Sequence, residues 1–259
     1  MSESSLFPEQ YMKYITLFLL LLVFLYGIRH MPDTTGTMTV SNTTVKELPI
    51  YCVNTDENAL ALTFDSAWGT EDLNDILNIL EKHNAKAVFF VTGDWARNNP
   101  DAVKAIDSAG HEIGNHGDHH KHMPNLSKEE IASEIQGCHN AVYEITGKDM
   151  SLFRAPYSDW NDITIDVAHM MGYSAINQSV DSLDWKDYGV DAIIKQVCEN
   201  KNLEKGSIIL LHNGSKYTKD ALDVMLTNLE AMGYHFVPLS ELIYTSDYYL
   251  DHTGKQFRN

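Results

Sequence analysis

The chain has 259 residues, a formal net charge of −17 and 44% hydrophobic residues. That length suits one sizeable domain or two small ones, and that hydrophobic fraction suits a globular core. The negative charge excludes a sequence-independent nucleic-acid binder, whose phosphate contacts need a basic footprint. Cys52, Cys138 and Cys198 are odd in number, widely spaced and form no C-x-x-C pair. They argue against a thiolate metal site or a disulfide framework.

Residues 14–28 are almost wholly apolar. The run is short for a spanning helix of roughly 20 residues, but Met12 and Lys13 extend it by snorkelling. Gly27-Ile28-Arg29-His30 follows, with no small-residue cleavage site. The expectation is an uncleaved membrane anchor over 1–30 rather than a cleaved signal peptide. Lys13 and Arg29 flank it on either side, so charge does not set its orientation. A Thr-rich linker is expected over 31–50 and a single domain over 51–245.

Within the domain, strand-like and helix-like patterns alternate. Residues 59–64 form a short apolar run ending at Asp65. Leu73, Ile76, Leu77 and Leu80 follow at helical spacing. A buried strand is expected over 87–91, a helix over 101–109 stopped by Gly110, and a brief strand over 112–115. Ser127 and Glu130 make a capping box for a helix that runs to Thr146 and stops at Gly147. Strands are then expected over 152–154, 174–180, 207–211 and 235–237. Helices are expected over 163–171, 191–200 and 221–232. The polar tail 246–259 is expected to be loosely ordered. Strand then helix, about seven times, implies parallel strands with helical crossovers, either in a barrel or in an open doubly wound sheet. In both, functional groups gather at the carboxyl ends of the strands.

Four patches sit at such ends: Thr63-Phe64-Asp65, His116 with His120, Arg154-Ala155-Pro156-Tyr157, and Leu210-Leu211-His212. Asp65 at a strand tip serves as a general base if it stays ionised and faces water; otherwise it caps a helix or a turn. His116 and His120, four apart, suit a divalent ion such as zinc, against the alternative of a solvated polar loop. His119 and His122 read as bystanders. Arg154 pairs with Asp65 or forms an unrelated salt bridge. Asp181 and Asp184 precede Trp185. A carboxylate bonded to an imidazole suits a general acid, while a turn with a core Trp is the plainer reading. A lone His after an apolar run, such as His212, is more often structural, but its company with the other patches favours a site.

The order and spacing of these motifs resemble the polysaccharide deacetylases, the NodB-homology domain of carbohydrate esterase family 4, over residues 58–242. Thr63-Phe64-Asp65-Ser66-Ala67-Trp68-Gly69, Gly93-Asp94-Trp95-Ala96 and Gly110-His111-Glu112-Ile113-Gly114-Asn115-His116-Gly117 look most like its sporulation-associated branch. The resemblance implies an α/β fold, a distorted (β/α) barrel, and removal of N-acetyl, sometimes O-acetyl, groups from an amino-sugar polymer such as peptidoglycan. It implies Asp65 as the base, His116 and His120 as metal ligands, Arg154 as the group that orients Asp65, and Asp184 as the partner of a general acid, His212. The Tyr157 backbone N–H would stabilise the oxyanion, and Trp185 and Leu210 would line the acetyl-methyl pocket. It also implies a divalent metal, zinc first, and a domain anchored outside the cytoplasmic membrane. Three positions depart from the family pattern. Ser66 stands where a metal-binding Asp is usual, Gly117 where Ser or Thr is usual, and Ala155 where a second Pro is usual. A hydroxyl is a far poorer ligand than a carboxylate, so weakened metal binding is expected, with water, Asp118 or substrate filling the gap.

Overall fold

The structure, a computed structural model, describes residues 48–259. The expected anchor and nearly all of the linker lie outside the described residues. Among the described residues, no helix is long and apolar enough to cross a membrane.

The centre of the molecule is β2 (Ala59–Ser66), buried along all eight residues. Its alternation sets two faces. Leu60, Leu62 and Phe64 belong to the larger hydrophobic cluster, which includes buried residues of the surrounding helices. Ala59 and Ala61 belong to a smaller cluster with Val88, Phe90 and Ile208. Thr63 and Asp65 share their parity. β2 pairs in parallel with β3 (Ala87–Val91) on one side and β8 (Ile208–His212) on the other. From β3 the sheet continues through β4 (Glu112–Asn115) and β5 (Leu152–Phe153) to β6 (Ser174–Ala175). From β8 it ends at β7 (Val180–Asp181). β9 (His235–Phe236) joins β2 at its start.

β6 and β7 are therefore opposite edges of the sheet, yet only residues 176–179 separate them. Five Cα steps reach at most about 18 Å, whereas six strand spacings in a flat sheet span about 29 Å. The sheet must curl, and the chain before β2 fills its seam. Ile50 N–H donates to Ala175 O (2.8 Å) and Asn177 N–H donates to Ile50 O (2.7 Å). On the other side of the seam, Val53 N–H donates to Gly206 O (3.0 Å). The result is a curled parallel half-barrel, in keeping with the barrel that the resemblance implies.

The helices follow their sequence cues. α1 (Leu73–Lys82) buries Leu73, Ile76 and Leu80. α2 (Gly93–Asn98), which the periodicity does not reveal, is one short turn-and-a-half capped by the Thr92 side chain. α3 (Pro100–Ser108) starts on proline. α4 (Lys128–Thr146) carries both hydrogen bonds of the Ser127/Glu130 capping box and ends on a left-handed Gly147. α5 (Asp162–Met170), α6 (Val190–Cys198), α7 (Thr218–Ala231) and α8 (Leu239–Leu242) complete the set.

Two expectations are corrected. The strand expected over 174–180 is two strands, because its middle crosses the seam. The tail is ordered: β10 (Tyr248–Leu250) and β11 (Lys255–Arg258) form a three-stranded sheet with β1 (Cys52–Val53). Gln256 is fully buried there. Its amide donates to Tyr244 O (2.6 Å) and accepts from Tyr244 N–H (2.8 Å).

Candidate active site

The carboxyl ends of the strands open on a cavity of about 370 Å³ whose lining includes Asp65, His116, His120, Tyr157, Leu210 and His212. Trp185, Ser158, Gln178 and Asp181 complete the wall. The residues expected from sequence therefore converge. Arg154 and Asp184 stand behind the lining, each bonded to a residue that forms it.

Asp65 sits next to last on β2, on the parity of Ala59 and Ala61. Arg154 Nη1 donates to its Oδ1 at 2.7 Å and to Thr63 Oγ1 at 2.9 Å. Arg154 Nη2 donates to Asn177 O at 3.2 Å, and the guanidinium lies 4.3 Å from the centre of the Phe90 ring. Arg154 is thus clamped and fully buried. Burial alone would raise the pKa of Asp65. The Arg154 charge and hydrogen bond outweigh it and hold the carboxyl below the usual range. The carboxyl is ionised at neutral pH.

His116 Nδ1 meets the Arg154 carbonyl oxygen at 2.9 Å, so that nitrogen carries the proton. Burial keeps the ring neutral, since it pulls the His116 pKa down. The Nε2 lone pair then faces Asp65 Oδ2 at 3.4 Å. His120 is neutral too, its pKa lowered to about 4 by burial and by His116. The two rings lie 5.1 Å apart, centre to centre. His120 holds a left-handed backbone, φ 54°, that a non-glycine residue rarely adopts. A buried Glu134 stabilises this loop, which sequence reasoning passed over. Its Oε2 accepts from Asp118 N–H (3.0 Å) and His119 N–H (2.8 Å), and its Oε1 pairs with Lys121 Nζ at 2.8 Å.

The opposite wall is His212 at the tip of β8. Its Nδ1 lies 2.7 Å from Asp184 Oδ1, and its backbone N–H donates to Asp184 Oδ2 at 2.8 Å. Thr218 Oγ1 donates to the same oxygen at 2.6 Å, a support that no motif announced. Burial pulls the His212 pKa down, but the hydrogen bond and charge of Asp184, with Asp65 and Asp181, overcome it and leave it raised. Asp181, by contrast, has a pKa raised by burial.

Tyr157 is half exposed at the rim and, like His120, has a left-handed backbone, φ 61°. Its ring is flanked by His120 at 4.4 Å and by His122 at 4.0 Å. His122 is itself fixed by Asp159 at 2.8 Å. His122 stacks on the Tyr157 ring but stands outside the cavity lining. His119 is held at 2.8 Å by Asp94, away from the cavity lining. Trp185 is half exposed on the rim, as a wall residue should be.

A resident catalytic zinc takes three protein ligands. His116 and His120 supply two neutral imidazoles that fit. The third position does not fit. Ser66 is fully buried and falls on the parity of Leu60 and Phe64, and its hydroxyl has no hydrogen-bond partner among the described residues. Asp118 is no substitute. It accepts from Arg97 Nη2 (2.7 Å), and its carboxylate occupies the space beside Gly93 and Gly137. Among the described residues, no group of three His, Cys, Asp or Glu is placed to hold a metal ion. Among the described residues, the donor set does not fit a tightly held divalent ion.

Comparison with known proteins gives the family. The pattern of the polysaccharide deacetylase family matches residues 53–176. A peptidoglycan-N-acetylmuramic acid deacetylase of Bacillus subtilis is 30% identical over 229 residues, covering 85% of this chain and 84% of that protein. Among solved structures, a family 4 pseudoenzyme from Bacillus anthracis is 33% identical with a TM-score of 0.72, covering 76% of this chain and 69% of that one. The Bc1960 peptidoglycan N-acetylglucosamine deacetylase is 31% identical with a TM-score of 0.72, covering 76% and 93%. The chain belongs to the polysaccharide deacetylase family, whose members are hydrolases.

Proposed function

We propose that the protein removes N-acetyl groups from an amino-sugar polymer, peptidoglycan first. The observation that carries this reading is the pair of opposed titrating groups on one cavity. Arg154 holds the Asp65 carboxyl below the usual range, and Asp184 raises the pKa of His212. Environments that push a base and an acid apart in this way suit hydrolysis of an amide. Asp65 Oδ2 takes a proton from water as the water oxygen bonds to the acetyl carbon. The Tyr157 backbone N–H serves the oxyanion. His212 Nε2 then gives its proton to the amine nitrogen as the C–N bond breaks, releasing acetate and a free amine. Leu210 and Trp185 enclose the methyl group. The named activities of these relatives support the substrate class. Peptidoglycan lies outside the cytoplasmic membrane, so the apolar segment at 14–28 would tether the domain there.

A second reading is favoured by one residue. Ser66 deprives the site of an anionic ligand, and a pseudoenzyme is among the structural relatives. On that reading the cleft binds glycan without efficient chemistry. The deciding experiment is acetate release from purified peptidoglycan by the protein, with and without added Zn²⁺ or Co²⁺. Release supports the first reading. Retained glycan binding with no acetate under any metal supports the second and overturns the first.

A further inference from the structure

Trp68 takes no part in the steps above, yet its indole lies flat on the His212 imidazole, with centres 5.6 Å apart and planes 17° apart. The same indole meets His120 edge-on at 6.3 Å. Trp68 is 44% exposed, so burial of apolar area does not explain its position. It is also absent from the cavity lining. It stands between two residues of that lining, stacked on His212 and edge-on to His120.

The neighbouring loops hold it there. Asn213 Nδ2 donates to Trp68 O (3.4 Å) and Gly69 O (3.0 Å). Trp95 Nε1 also donates to Gly69 O, at 2.8 Å. Both oxygens of Asp72 accept from Gly214 N–H, at 2.8 and 2.9 Å. Gly214 has a left-handed backbone, and a Cβ there would stand 2.8 Å from Trp68 O and 3.0 Å from Trp68 Cδ1. Only glycine admits the indole at this distance. Asp184 holds the imidazole at one ring atom, Nδ1, and anchors the His212 backbone N–H. Neither bond resists rocking of the ring out of its plane. A stacked indole does, and its π face also favours the ring when it carries a proton.

We propose that Trp68 is a positioning residue for His212: its indole fixes the plane of the imidazole so that Nε2 stays aimed into the cavity. The inference rests on His212 as the proton donor of the proposed reaction. The test compares the full chain with Trp68→Phe and Trp68→Leu. Three quantities are measured: acetate release from peptidoglycan, thermal stability, and the ¹H–¹³C NMR resonances of the His212 ring. Stacking predicts an upfield ring-current shift of the His212 protons, kept in Trp68→Phe and lost in Trp68→Leu. Trp68→Leu should lose at least tenfold in kcat with KM within twofold, and Trp68→Phe should recover most of that loss. Unchanged His212 resonances in Trp68→Leu overturn the proposal. So does a loss confined to KM, which would make Trp68 a sugar platform instead. If the natural protein releases no acetate, the deacetylase reading fails by itself. The positioning inference is then decided by the His212 resonances and by the ring's orientation in a crystal structure of Trp68→Leu, where an unmoved imidazole overturns it.

Discussion

Asp65 is the base of the proposed reaction, and its environment makes a sharp prediction. Asp65→Asn keeps the shape of the side chain and an acceptor for Arg154, but an amide takes no proton from water. Acetate release should fall by at least ~10²-fold. Arg154, fully buried, would also lose its charged partner. A lowered melting temperature should therefore accompany the lost activity, because an unpaired buried charge is costly. A deacetylation assay beside a thermal melt checks both, and full activity in a folded variant removes the assigned role. Ser66 permits the complementary gain of function. Ser66→Asp adds a carboxylate at the tip of β2, in a site whose two imidazoles are neutral, and leaves Asp65 and His212 untouched. Zn²⁺ affinity, read by calorimetry, should rise at least about tenfold, since a charged oxygen replaces a neutral hydroxyl. Acetate release should rise with it. Tight metal binding without acetate would favour the glycan-binding reading. Unchanged affinity would mean that the strand parity keeps position 66 away from the imidazoles.

At the scale of elements, the sequence was most legible where one strong local signal dominates. The Ser127/Glu130 box and Gly147 mark both ends of α4, and the run of residues 87–91 is a strand with those bounds. The site was legible for a related reason: each motif ends a strand, and parallel strands bring their ends together. What could not be read depends on partners distant in sequence. Thr218, Glu134 and Trp68 are ordinary residues until the fold places them against Asp184, the histidine loop and His212. The tail misled because its pairing partner, β1, is only two residues long and lies about 200 residues earlier in the chain. Its polar composition hides a buried amide that closes the small sheet. Gln256→Ala should leave the Tyr244 N–H and C=O without partners, at a cost of about 2 kcal/mol. Urea unfolding measures this, and a variant as stable as the parent would show that water replaces both bonds.

Across the whole molecule, the curled sheet turns the core inward and leaves imidazoles buried in places that catalysis does not use. His111 is the clearest. It is 6% exposed, and its Nδ1 accepts from Ala87 N–H at 3.2 Å. That bond needs the neutral ring. Burial, with the charge of Lys86, lowers its pKa from 6.5 to about 4. The lowered value means that the unfolded chain takes up this proton first as pH falls. Stability from His111 is complete above about pH 6.5 and is lost progressively as pH falls through about 4. At about 1.4 kcal/mol per pH unit, the window amounts to about 3 kcal/mol. The net charge of −17 acts in the opposite direction. Acid relieves the repulsion among carboxylates, so the raw pH dependence of the protein mixes two signs. His111→Gln separates them. The glutamine oxygen still accepts from Ala87 N–H, while the titrating group is gone and the acidic surface is unchanged. Urea melts at pH 7.5, 5.5 and 4.5 should show the natural protein losing stability relative to His111→Gln as pH falls. The difference in slope should approach one proton between pH 6.5 and 4. Parallel slopes would mean that His111 takes up its proton over the same pH range in the folded and unfolded chains, so that burial does not lower its pKa.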